Sequence, residues 1–120
     1  MKLILFVLHD PEKLRELLDA WKTAGVSGAT VLFSTGLGRI HQADALRDDL
    51  PLMPSLEDFL PKLERLSRTV FTMVDDEAVV DRVVAATQQV VGDLNAPDRG
   101  LLIILPVAQV YGLRQNARSG

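Results

Sequence analysis

There is no cysteine anywhere in the 120 residues. Disulfides, thiolate nucleophiles and cysteine-bound metals are excluded at once, and a reducing compartment fits. Positive charge is not in excess either. Lys and Arg number 13 against 16 Asp and Glu, for a formal net charge of −3. That balance lacks the basic stripe a nucleic-acid binder needs, so no nucleic-acid partner is expected. No apolar run approaches the roughly 20 residues of a membrane span. The apolar start, residues 3–8, is stopped by His9, Asp10 and Pro11. It is shorter than the core of a secretory signal, about 7–15 residues, and no small-residue cleavage site follows. We therefore expect a cytoplasmic protein with no membrane insertion. Internal repeats and low-complexity segments are also missing, and the length suits a single domain.

Catalytic constellations are scarce. His9 and His41 have no partner at metal-ligand spacing. Ser34 and Ser55 have no neighbouring base in sequence, and no Ser-His-Asp order stands out. Asp75, Asp76 and Glu77 read as acid at a helix N-terminus before they read as a metal site. Binding or assembly is expected rather than an enzyme.

What is present is a clear alternation of strand and helix patterns. Residues 3–8 form a short apolar run that predicts a buried strand. Asp10 suits a helix N-cap and Pro11 the first helical position. Leu14, Leu17, Leu18 and Trp21 then repeat at helical spacing, and Gly25 is a stop. Residues 29–34 predict a second strand, followed by the turn Gly36, Leu37, Gly38, Arg39. Residues 40–54 read as loop. Leu56, Phe59, Leu60 and Leu63 have helical spacing, interrupted by Pro61, so a partly ordered segment is expected over 55–66. Residues 69–74 predict the third strand. A second helix carries Val79, Val80, Val83, Val84, Val90 and Val91 and ends at Gly92. A turn-rich connection over 93–100 leads to a fourth strand at 101–105.

The order β-α-β-loop-β-α-β suits the split βαβ arrangement. We expect an α+β protein of the ferredoxin-like βαββαβ class, with a four-stranded antiparallel sheet and two helices on one face. The domain would occupy residues 1–114, with 115–120 a mobile tail. Strands 1 and 4 are apolar at both parities. A sheet with one wet face alternates instead. The second face therefore predicts a partner, and a homo-oligomer that hides the open faces is the simplest one.

The pair Gly36 and Gly38 lacks the third glycine and the following helix of a dinucleotide fingerprint. Taken alone it reads first as a tight turn. Residues 25–39, GVSGATVLFSTGLGR, carry a wider pattern. They resemble the second strand and following turn of the nitrogen-regulatory PII signalling family, whose usual form is close to GVTGMTVTEVRGFGR. LPKLERL, MVDDEAVVDRVV and LIILPVAQVYGL match further segments in the same order. The resemblance covers most of the chain, from about Lys2 to Leu113.

The resemblance implies a homotrimer with adenine-nucleotide sites in the clefts between subunits. It also implies a sensor of ATP, ADP or AMP, often with a small carboxylate, that regulates a transporter or enzyme target. Carried over by position, Gly28 and Thr30 border the adenine. Gly36, Leu37, Gly38 and Arg39 match the turn that approaches the phosphates, where backbone amides form an anion nest. Arg114 matches a family arginine near the end of the last strand. The family's second phosphate loop is glycine-rich with a lysine. Here residues 92–100 read GDLNAPDRG. Arg99 is the candidate substitute for that lysine, with Gly100 beside it, while Asp93 and Asp98 oppose a polyphosphate. Gly112 stands at another arginine position and Ile40 at a glutamine position. The central loop has no tyrosine to modify; the single tyrosine is Tyr111. Effector binding is therefore expected to be micromolar or weaker, with ADP or AMP competing well against ATP. A small carboxylate or bicarbonate near Arg39 is the alternative effector. A trimeric interaction module without ligand is the alternative function.

Overall fold

The computed structural model describes residues 1–35 and 67–113. Residues 36–39, the central segment 40–66 with its expected helix, Arg114 and the tail 115–120 lie outside the described residues. The elements run β1 (Lys2–Leu8), a 3-10 turn (Pro11–Lys13), α1 (Leu14–Ala24), β2 (Thr30–Ser34), β3 (Ser67–Val74), α2 (Glu77–Val91) and β4 (Leu101–Pro106). The sheet order is β2-β3-β1-β4, and every neighbouring pair is antiparallel. This is the ferredoxin-like βαββαβ fold. It leaves β2 and β4 as the outer strands.

The helix ends follow from local chemistry. The Asp10 carboxylate accepts from the Glu12 amide at 3.0 Å, and Pro11 opens the turn into α1. Gly25, at φ +116°, closes α1 with its amide on the Lys22 carbonyl at 3.1 Å. Asp76 caps α2 through the Ala78 amide at 2.9 Å. The C-terminal carbonyls of a helix carry partial negative charge and attract cations. Arg82 Nε donates to Ala24 O at 2.9 Å at the end of α1. The last turn of α2 contains no basic residue. Its carbonyls are served from outside: Lys13 Nζ donates to Val90 O at 3.4 Å and Arg99 Nη1 to Val91 O at 3.3 Å.

Both helices cover one sheet face. Ile4, Phe6, Leu8, Val70 and Val74 meet Leu17, Trp21 and Ala24 of α1 and Val79, Val80, Val83, Val90 and Val91 of α2 in one buried core. Trp21 carries the one polar group of its ring into this core. Its Nε1–H donates to Thr87 Oγ1 at 2.9 Å, and that hydroxyl donates to Val83 O at 2.7 Å. Thr87 is fully buried, whereas Val84 is only partly so. The valine pattern of α2 suggests the reverse, because an apolar period does not reveal a polar partner for a distant tryptophan.

The opposite face carries Leu3, Leu5 and Val7 of β1, with Phe71 and Met73 of β3 and Leu101, Ile103 and Leu105 of β4 in cross-strand rows. Leu32 of β2 joins them. None of these is buried; Leu32 is 50%, Leu101 56% and Leu105 47% exposed.

Candidate functional site

The approach to β2, residues 27–30, is exposed backbone at one outer edge of the sheet. Thr72 of β3 ties it down, its hydroxyl donating to the Gly28 carbonyl. Between these segments lies an open groove of about 340 Å³, lined by Ser27, Gly28, Ala29 and Thr30, by Phe71, Thr72 and Met73, and by Leu113. Two of the expected ligand residues, Gly28 and Thr30, are therefore side by side in one concavity. Gly28 does not have a positive φ, and a Cβ built on it meets nothing within 4 Å. Neither backbone conformation nor packing among the described residues requires glycine there. Among the described residues, nothing fills the space above its Cα.

The approach to β4 is the opposite case. Gly100 has φ +105°, and a Cβ there would stand 2.5 Å from the Val7 carbonyl oxygen and 2.8 Å from the Phe6 ring. Arg99 lies with its guanidinium over Gly92, where a Cβ would be 3.5 Å from Cζ, and donates to Val91 O. It thus closes the end of α2. Asp93 and Asp98 on the same connection are exposed. Asp93 accepts from the Asn95 amide at 3.0 Å, and Asp98 takes φ +61°.

A single chain does not bring these two regions together. β3 and β1 lie between the outer strands, a separation of about 14 Å at the usual strand spacing. They also sit at opposite ends. Thr30 pairs with Phe71, which shares a row with Leu5 and Ile103, while Gly100 precedes the row of Leu101 and Val7. The expected phosphate-turn residues Gly36, Leu37, Gly38 and Arg39, and Arg114, are outside the described residues. Phe71, Met73 and Leu113 were not among the expected site residues. They belong to the groove through contacts far apart in sequence, and no local pattern announces them. No group of three or more His, Asp or Glu among the described residues is arranged to hold a metal ion. No described helix is long and apolar enough to cross a membrane.

The described residues thus form a βαββαβ unit with both helices on one sheet face, apolar rows on the other, and Gly28 and Gly100 just before the two outer strands. The chain matches the family model described as "Nitrogen regulatory protein P-II" over residues 1–117, and it belongs to that family. It is accordingly a PII-like regulatory signalling protein. A search of curated proteins finds no match to the sequence.

Proposed function

We propose that the protein is a cytoplasmic homotrimer that takes a small anionic effector in the clefts between its copies and reports it to a partner protein, such as a transporter or an enzyme. The effector is an adenine nucleotide, or a small carboxylate or bicarbonate. One observation carries the reading: Gly28 and Thr30 lie at the start of one outer strand and Gly100 just before the other. A cleft that uses both approaches needs two copies of the chain. The apolar rows of Leu3, Leu5, Ile103 and Leu105 on the uncovered face supply the contact surface.

Sedimentation at micromolar concentration tests the assembly, and the register now tells which residues to change. Leu5 and Ile103 share the open face, while Ile4 is fully buried under the helices. Leu5→Glu should dissociate the trimer and leave the helical circular dichroism intact, whereas Ile4→Glu should unfold the subunit. A monomeric parent protein would refute the reading. Calorimetric titration with ATP, ADP, AMP and bicarbonate tests the effector.

A second reading, a trimeric interaction module without a ligand, has an observation of its own. Both expected ligand residues at the β4 approach have structural duties, Arg99 on Val91 and Gly100 against β1. Under that reading no nucleotide or carboxylate raises the melting temperature, although any ligand of the native state must do so by mass action.

A further inference from the structure

Phe33, near the end of β2, is 61% exposed, more than any other large apolar side chain of the four strands. It does not share the open face with Leu32. Its partner in β3, Arg68, is also opposite Leu8, which is buried under the helices, so Phe33 lies on the helix side of the sheet. The Arg68 guanidinium stands over the ring, 4.4 Å from its centroid. Aromatic rings and arginines are the side chains that carry most of the energy at protein interfaces. The family form GVTGMTVTEVRGFGR has glutamate at this position, so the ring is a departure of this chain.

The other outer strand is hollow on the same side. Leu102 and Ile104 of β4 are opposite Phe6 and Ile4, on the helix side. With Val84 and Gln88 of α2 and with Leu94 they line an open groove of about 470 Å³. Gln88 Oε1 accepts from the Leu94 amide at 3.2 Å, which fixes one wall. Asp93 and Asp98 are exposed on the connection beside the groove, while Arg99 is turned to Val91 O. The groove adjoins Leu101, so it is continuous with the apolar rows of the open face. In the order β2-β3-β1-β4, with every neighbour antiparallel, β2 and β4 run in opposite directions. Rotation about an axis along the strands therefore sets β2 of one copy antiparallel to β4 of the next. Phe33, near the end of β2, then meets Leu102, near the start of β4. A contact of this kind is head-to-tail and closes into a ring. We propose that Phe33 of one copy fills the groove between α2 and β4 of the next, with Arg68 brought to Asp93 and Asp98, and that this contact joins the copies around the ring. The proposal rests on the homotrimer reading above and names the contact that holds it.

The absence of cysteine makes the test direct. The full chain carrying both Phe33→Cys and Leu102→Cys is mildly oxidised and run on a denaturing gel without reductant. A disulfide needs Cα atoms within about 7 Å. Inside one chain the two outer strands are about 14 Å apart, so the bridge forms only between copies. The expected result is a ladder that stops at a covalent trimer, whereas either single variant gives dimers at most. A parent that sediments as a trimer, with no such ladder from the double variant, overturns this inference and leaves the assembly reading standing. A monomeric parent overturns both. A second arm measures the contact without cysteine. Phe33→Glu should raise the dissociation constant of the trimer by about tenfold or more, with an unchanged circular-dichroism spectrum because the ring is exposed in the subunit. An unchanged dissociation constant would place the contact elsewhere and sink the proposal.

Discussion

Two glycines open the two outer strands, and they are there for different reasons. Gly100 precedes β4 with a positive φ and no room for a Cβ against Val7 and Phe6. Gly28 precedes β2 with neither constraint. The first is a requirement of the fold, since β1 and the chain entering β4 approach more closely than any side chain allows. The second has no explanation among the described residues, and its open side is on the groove that also holds Thr30. Packing among the described residues thus accounts for Gly100 and leaves Gly28 unaccounted for. Sequence patterns treat the two glycines alike.

The largest effect expected from breaking this contrast is that of Gly100→Ala. The methyl group would meet a backbone oxygen rather than a flexible side chain, and the positive φ adds strain. Overpacking costs about 1–3 kcal/mol and an unfavourable backbone region about 1–2 kcal/mol more. A loss of about 3 kcal/mol should lower Tm by more than about 10 °C in a domain of this size. Thermal unfolding of the variant measures it, and a shift within 2–3 °C, about the effect of an ordinary surface change, would show that β1 and β4 are not so close.

A smaller loss is expected in the core between the helices. Thr87→Val removes the acceptor of the buried Trp21 N–H. An unsatisfied buried donor costs about 1–3 kcal/mol. Urea denaturation should show a lower midpoint with an unchanged slope. Thr87→Ser, which keeps the hydroxyl, should recover part of it. This pair calibrates what one buried internal contact is worth, against which the two glycines are compared.

These residues also show what could be read in advance. Asp10, Pro11, Gly25 and Asp76 act locally, on amides a few residues away, and their roles in capping were evident from spacing alone. The four strands and two helices followed from period and punctuation in the same way. Thr87 was not foreseen because its partner, Trp21, is 66 residues away. The duty of Arg99 depends on the bare last turn of α2, and the reason for Gly100 on the path of β1. Leu113 reaches the Gly28 groove from the far end of the chain. Contacts of that kind are set by topology, which arranges segments that carry no mark of each other.

Arg99 sharpens the contrast further. Arg99→Met keeps an apolar stem over Gly92 and removes the donor to Val91 O. Cations at helix ends contribute about 0.3–1 kcal/mol, so a destabilisation of that size is expected by chemical denaturation. A variant as stable as the parent, but with a lowered affinity for ATP, would mean that this arginine serves a ligand and that the approach to β4 is a site after all.

Gly28→Ala should have the smallest effect on stability, and for that reason it decides most. The added methyl points into open space, the backbone is not in the positive φ region, and the bond from Thr72 to the Gly28 carbonyl does not involve the changed atom. Replacing glycine by alanine at a compatible position also restricts the unfolded chain, which favours folding by about 0.4–1 kcal/mol. Equal or slightly raised stability is therefore expected. If a ring rests on this backbone, the methyl lifts it by more than an ångström and removes the close contact that glycine permits. AMP affinity should fall at least tenfold while Tm stays level or rises. A fall in stability instead would assign Gly28 to the fold, alongside Gly100. Stability and affinity both unchanged would remove the reason for placing a ligand at the β2 edge.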